Sequence, residues 1–369
     1  MRLLICAGGT GSGVYPALAI LQAIENRIEQ TLWVGGQGGM EFDLISRLGI
    51  PFTAIPAAGV HGVGISHLPA NLWKLFKGIS ESRKIIRKFN PDVILYSGGY
   101  VAAPMAIAAR NVPSVLFVPD IEPGLALKFL ARFASKIALT SQASQMFFNN
   151  QSKLLVTGYP TRSDLKPISK NEALAKLNLS NHLPVIFFFG GSKGARSINR
   201  ALAKYLPDLL KKCQIIHITG QLDWNEIKEN TKNLEIGLLP NYHVFPYLHE
   251  EMAAAFSSAD LVVSRAGAST LGELPLFGTP AILVPYPYAW RYQKVNAQYL
   301  VDQGAAILLN DEELETELLN EIEKLLENPE KLMALKTAMK KLYQPGAAIK
   351  IGELIMTSSA QRNSERGMA

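Results

Sequence analysis

The stretch "PVIFFFGGSKGARSINRAL", residues 184–202, sets the reading of the whole chain. Five consecutive apolar residues, Val185 to Phe189, run into a glycine loop and then into a helix-like segment that begins near Ala195. An apolar run of that length, continuous rather than alternating and bounded by glycines, predicts a parallel strand buried on both faces, because helices cover both sides of such a sheet. The N-terminus has the same grammar: Leu3, Leu4 and Ile5 lead into "AGGTGSGVYP", residues 7–16. Two such beginnings in 369 residues, about twice the length of a typical domain, predict two domains, each with its own core.

Further short apolar runs alternate with helical stretches. "LLICA", "TLWVG", "DVILYS", "SVLFV", "KIALT" and "LLVTG" lie in the first part, and "VIFFF", "QIIHIT", "HVFPY", "LVVSR" and "AILVP" in the second. The pattern predicts α/β architecture with two Rossmann-like, doubly wound domains over residues 1–163 and 164–340, joined around Pro160 to Pro184. Residues 345–356 read as a helix that returns to the first domain, and the polar residues 358–369 as a disordered tail. Four glycine loops follow strands: "GGTGSG", "SGGYVAAP", "GGSKGARS" and "RAGASTLGE". Ligands of open α/β sheets bind beyond the carboxyl ends of the strands, so these loops are expected to line one cleft with one ligand.

Composition narrows the ligand. Hydrophobic residues make up 48% of the chain, yet no apolar run approaches the ~20 residues of a membrane span. Only Arg2 precedes the first apolar run, without the longer apolar region of a signal peptide, which predicts a cytosolic protein. Cys6 and Cys213 have neither metal nor disulfide spacing and are expected to be buried apolar side chains. "GGTGSG" is not G-x-G-x-x-G, the second strand lacks the acid that would hold an NAD ribose, and there is no P-loop. No resident metal or cofactor is expected. The net charge is +6, and six bases against the single acid Glu81 in residues 71–90 supply a surplus of five. A basic surplus confined to one patch argues against nucleic acid.

The helix N-terminus behind "GGSKGA" offers backbone N–H groups and a positive dipole end to a pyrophosphate, with the Ser192 hydroxyl as a further donor. A plain strand-to-helix turn with Ser192 as cap accounts for the same residues. In "SRAGASTLGE", Glu273 stands where a carboxylate can accept both hydroxyls of a ribose, but Thr270 to Glu273 also fits a capping box. The spacing leaves both open.

"AGGTGSGVYPALAI", "GGYVAAP", "GGSKGARSIN", "MAAAFSSADLVVSRAGASTLGELPLFGTPAILVPYP" and "YQKVNA" occur in this order. The series resembles the peptidoglycan N-acetylglucosaminyltransferases of glycosyltransferase family 28, over about residues 1–350. The resemblance implies a GT-B fold, two Rossmann-like domains facing a central cleft, and inverting transfer of N-acetylglucosamine from UDP-N-acetylglucosamine to the C4 hydroxyl of a muramoyl-pentapeptide on an undecaprenyl-linked lipid. It implies contacts from Ser192 to the diphosphate, Glu273 to the ribose, Gln293 to the sugar and the Leu248 backbone to uracil, with Arg162 as an interdomain arginine. Arg265 heads the loop that includes Ala268, Ser269 and Thr270. The matched motifs add Tyr100, Lys193, Asn199, Leu271, Gly272 and Asn296, and they put Thr10, Gly11 and Ser12 on the opposite wall, facing donor sugar or acceptor.

Two departures stand out. The family's opening loop usually reads G-G-T-G-G-H, its histidine being the proposed general base, and the matching position here is Gly13. Where the family shows His-Glu-Gln-Asn, this chain has Phe117, Val118, Pro119 and Asp120. Asp120, or more weakly Glu122, is the expected base or positioning carboxylate just past a strand end; two turn-forming acids are the bland alternative. The divergence leaves open another glycolipid acceptor, or a catalytically impaired sugar-nucleotide-binding partner protein. Residues 71–90 fit peripheral attachment to an anionic membrane surface, on the cytoplasmic side, with Trp73 and Phe76 at the interface; an ordinary crossover helix with a solvated face fits them equally.

Overall fold

The computed structural model describes residues 1–8, 11–39, 41–57, 68–191, 194–288 and 292–367, with the backbone alone for residues 12, 68, 69, 233, 361 and 363–367. Thr10, Ser192 and Lys193 fall outside the described residues, as does the side chain of Ser12.

Contacts divide the chain into two units, Met1–Arg162 with Gln344–Ala369, and Ser163–Tyr343. The first contains a seven-stranded parallel sheet of β1 (Arg2–Cys6), β2 (Gln30–Gly36), β3 (Phe52–Ile55), β4 (Val93–Tyr96), β5 (Ser114–Val118), β6 (Lys136–Leu139) and β7 (Leu154–Val156). Their order is β3-β2-β1-β4-β5-β6-β7. The second contains six parallel strands, β8 (Val185–Phe189), β9 (Gln214–Ile218), β10 (Tyr242–Phe245), β11 (Leu261–Ser264), β12 (Ala281–Leu283) and β13 (Ala306–Leu308), in the order β10-β9-β8-β11-β12-β13. All eleven apolar runs are strands. Sequence pattern passed over β3 and β13, which are four and three residues long and lie at the sheet edges, too short to show a period.

In each sheet the strand order reverses once, between β1 and β4 and between β8 and β11. Those two switch points are where a crevice must open, since the helices that follow the two central strands go to opposite faces. The four glycine loops are the loops that leave β1, β4, β8 and β11. Both cysteines are buried.

The last helix, Ala347–Gly367, packs in the first unit against the helix Gly11–Ala23 and strands β4, β5 and β6. The disordered tail expected over 358–369 is therefore corrected: helix continues to Gly367. Ser358 and Ser359 are buried, and Arg362 Nη1 donates to the Pro91 carbonyl at 2.6 Å, so polar composition there marks an anchored end rather than a loose one. Among the described residues no helix is long and apolar enough to cross a membrane.

Candidate functional site

In the second unit the loop after β8 turns at Gly194, whose φ is +80° and whose Cβ, were there one, would lie 2.2 Å from the Thr219 carbonyl oxygen. Only glycine satisfies both conditions. The helix Arg196–Leu209 then starts from Ala195 without a side-chain cap among the described residues, and its first N–H groups and positive dipole end suit an anion. Its start is fastened to a buried polar network. Arg196 Nε donates to Asp223 at 2.9 Å, and Asn199 Nδ2 donates to Thr219 O at 2.9 Å and to Asp223 at 2.8 Å. Asn199 Oδ1 meets His217 Nε2 at 3.0 Å, and His217 Nδ1 meets the Tyr242 hydroxyl at 2.7 Å. Because Asn199 uses its nitrogen elsewhere, its oxygen accepts; His217 thus carries its proton on Nε2 and accepts from Tyr242. Asn199, expected at the ligand, is instead 1% exposed and holds the loop from below.

Arg265 fastens the other strand ends. Its guanidinium, 9% exposed, donates through Nη2 to Ser197 Oγ at 2.7 Å and through Nη1 to Val284 O at 3.2 Å and Pro285 O at 3.4 Å, and it pairs with Asp311. Ser197 Oγ also donates to Asp311 at 2.7 Å, and the guanidinium lies 5.2 Å from the Tyr286 ring centre. One side chain on the β11 loop thereby gathers the Arg196 helix, the end of β12 and the segment after β13. Arg265, expected among the substrate contacts, acts as the clamp beneath them. Removing one partner from such a buried charge typically costs about 3–5 kcal/mol.

Above the clamp runs the loop Ala266–Ser269. The N–H groups of Thr270, Leu271 and Gly272 go to the carbonyls of Gly267, Ala268 and Ser269, and that of Glu273 goes to Ser269 O at 2.8 Å. Thr270 Oγ1 donates to Gly267 O at 2.6 Å. The capping box open in the sequence is not formed: Thr270 is already the first residue of the helix Thr270–Phe277, and both amides that box would serve are bonded to carbonyls. Thr270, Leu271 and Gly272, three of the expected contacts, are buried in the first turn of that helix. The N–H groups of Gly267, Ala268 and Ser269 have no intramolecular acceptors among the described residues, and Glu273 is half-buried beside them. Asn296, fully buried, ties the loop down through Nδ2 to Ala266 O at 3.2 Å. Gln293 accepts the Tyr286 N–H at 2.8 Å, and its amide N–H₂ remains to be offered to a ligand. The Leu248 side chain is buried, while its backbone N–H and C=O have no partner among the described residues.

In the first unit, Gly13 lies in the helix Gly11–Ala23, and a Cβ there would come 2.7 Å from the Ser97 carbonyl oxygen. Ser97 Oγ in turn donates to Gly13 O at 2.6 Å. The β1 and β4 loops have closed on the space a side chain would need. Phe117 and Val118 are fully buried on β5. Asp120 is half-buried just beyond that strand's end, whereas Glu122 is 5% exposed and ion-paired to Lys128 at 3.6 Å. That pairing argues against the weaker of the two expected bases. Tyr100 is exposed on the β4 loop, and Arg162 lies over the Tyr15 ring at 5.6 Å. Sequence reading missed Ser197, Asp223, His217, Ser97 and Asp311: Ser97 and Ser197 stand at the edges of glycine loops whose signal is carried by the glycines, and the other three sit in no motif.

Two parallel sheets with glycine loops at their switch points, one backed by two helix starts able to receive an anion, define a nucleotide-binding α/β protein. The model of the glycosyltransferase family 28 N-terminal domain matches residues 3–139, and that of the C-terminal domain matches residues 185–349. A protein of Desulforamulus reducens, named "UDP-N-acetylglucosamine--N-acetylmuramyl-(pentapeptide) pyrophosphoryl-undecaprenol N-acetylglucosamine transferase", is 38% identical over 360 residues, covering 94% of this chain and 96% of its own length. One of the same name from Bacillus cytotoxicus is 35% identical, covering 96% and 98%. The crystal structure of Acinetobacter baumannii MurG superposes with a TM-score of 0.78 at 27% identity, covering 96% of this chain and 99% of that one. The chain belongs to glycosyltransferase family 28.

His217 provides a pH test of the loop support. Burial pushes its pKa from 6.5 down to about 3. The unfolded chain therefore binds a proton that the folded one does not, so the stability due to neutral His217 is complete above pH 6.5 and is lost progressively toward pH 3. We expect His217→Gln to have a lower denaturant midpoint than wild type at pH 8, but to lose less of it between pH 6.5 and 4.5. Parallel losses in the two proteins would show that His217 does not titrate this way.

Proposed function

We propose that the chain transfers N-acetylglucosamine, with inversion, from UDP-N-acetylglucosamine to the C4 hydroxyl of the muramoyl-pentapeptide on an undecaprenyl-diphosphate lipid. The second unit takes the donor and the first the acceptor. The observation that carries this reading is near full-length identity of 38% to a transferase of that name, in a chain whose second unit has the N–H groups of Gly267, Ala268 and Ser269 without acceptors among the described residues, next to Glu273.

The new bond joins the acceptor O4 to the anomeric carbon as the bond from that carbon to the β-phosphate oxygen breaks. UDP leaves with the bonding pair. Its added charge is met by the first N–H groups of the Arg196 helix and those of Gly267, Ala268 and Ser269, donors fixed before the reaction begins; losing one such donor typically costs about 10²- to 10³-fold in rate. With the diphosphate charge met this way, the reading needs no resident metal. Glu273 accepts from the ribose hydroxyls, Gln293 donates to the sugar, and the Leu248 backbone reads uracil. Asp120 takes the O4 proton, a role that Gly13, packed against Ser97 O, has no side chain to fill.

A lipid-linked acceptor calls for contact with a membrane surface. Trp73 and Phe76, 71% and 66% exposed, project with Lys74 and Lys77 from the helix Leu68–Phe89. Each base near an anionic surface adds about 1 kcal/mol. This supports peripheral attachment at the cytoplasmic leaflet, where the nucleotide donor is made available.

Wild-type protein should release UDP from UDP-N-acetylglucosamine only when a soluble lipid I analogue is present, and Asp120→Asn should turn over at least 100-fold more slowly with donor affinity unchanged. Turnover of that variant within threefold of wild type would remove Asp120 from the base role. In liposome co-sedimentation, binding should increase with anionic lipid, weaken with salt, and fall several-fold in Trp73→Ala/Phe76→Ala; binding indifferent to all three would remove this helix from membrane contact.

A further inference from the structure

Glu41 is used by none of the chemistry above, yet it is a carboxylate 1% exposed, in the first turn of the helix Glu41–Arg47 beside the β1 loop. Its Oε1 accepts the Gly36 N–H at 2.8 Å. A Cβ on Gly8 would fall 2.3 Å from Oε1, and one on Gly35 2.8 Å from it. A Cβ on Gly39 would fall 2.3 and 2.4 Å from the two oxygens. None of these three glycines has the positive φ that would itself demand glycine. At Gly8 and Gly39 what excludes a side chain is the space held by the carboxylate, and at Gly35 the Phe52 ring, 2.5 Å from such a Cβ, excludes it together with the carboxylate. Burial pushes the Cys6 thiol pKa up, and the nearby Glu41 charge adds to that push.

We infer that Glu41 is a positioning residue for the acceptor-side glycine loop: the segments after β1 and β2 pack around its carboxylate at Gly8, Gly36 and Gly39, and it holds Gly8 in place. A buried carboxylate is tolerated only where N–H groups replace its water, so the fit is demanding in both directions. The loop is held from its other sides by Trp33 Nε1, which donates to Ala7 O at 2.8 Å, by Ser97 Oγ on Gly13 O, and by Gly99, where a Cβ would lie 2.8 Å from Gly8 O. Glu41 is the one charged member of that set. With no side chain at Gly13, placement of the acceptor rests more heavily on the backbone of this loop. The inference rests on the reading of the first unit as the acceptor side.

The test compares Glu41→Ala, Glu41→Gln, Gly8→Ala and Gly8→Ala/Glu41→Ala in the full chain, by UDP release with the lipid I analogue and by thermal unfolding. Glu41→Ala should lower kcat at least tenfold and leave KM for UDP-N-acetylglucosamine within twofold, and Glu41→Gln, which still accepts from Gly36, should restore kcat to within about fivefold of wild type. Gly8→Ala alone should be impaired, while adding it to Glu41→Ala should cost nothing further in Tm, because the clashing oxygen is gone. Equal kcat in wild type and Glu41→Ala, or Tm losses of Gly8→Ala and Glu41→Ala that simply add, would overturn the inference. If wild type releases no UDP with the acceptor, it is the transfer reading that fails, and the Tm coupling alone then decides where Glu41 acts.

Discussion

The second unit depends on one buried guanidinium. Arg265 reaches from the end of β11 to Ser197 at the start of one helix, to the carbonyls after β12 and to Asp311 after β13. Four chain segments that the fold brings to the carboxyl edge of one sheet become a single rigid floor. A charge so enclosed is tolerable only while every partner is in place, which makes the floor cooperative. Rigidity matters because donors stabilise a leaving group only when they need no rearrangement as its charge develops. The amides of Gly267, Ala268 and Ser269 have their positions set by the clamp below and by Asn296 on the adjacent helix.

The first unit solves a different problem. Its glycine loop has no side chain at Gly13, and the structure is closed there: Ser97 bonds the Gly13 carbonyl, and its own carbonyl occupies the space beside the Gly13 Cα. A histidine at residue 13 would have to displace backbone, not a mobile side chain. The neighbouring apolar residues agree with this, since Phe117 and Val118 are core residues of β5 and leave Asp120 as the half-buried acid at that strand's end.

Strand identity was legible because parallel strands buried on both faces must be continuously apolar, and the glycine loops were legible because tight turns and close approaches admit little else. The switch points followed once strand order was known. The clamp was not legible: Arg265 looked like a ligand group because it opens a glycine loop, and its partner Asp311 is one acid in the acidic run "NDEELETE". Asn199 misled in the same way, since a polar residue in the first turn of a ligand-facing helix can point up to the ligand or down to His217, and sequence spacing does not distinguish the two. Glu273 is the converse, a residue for which sequence offered a capping role and the backbone bonding of Thr270 and Glu273 withdrew it. The tail read as disordered because serines and arginine dominate it, although two of those serines are buried and Arg362 bonds Pro91.

In the proposed reaction the donor diphosphate rests on the two helix starts that Arg265 holds together. Amide hydrogen exchange with and without UDP tests it most directly. The account predicts slowed exchange in peptides covering residues 190–199 and 266–273, with that protection lost in Arg265→Lys, which keeps the charge but not the fork. Protection confined to residues 7–16 and 97–101, or an Arg265→Lys protein protected as fully as wild type, would contradict it.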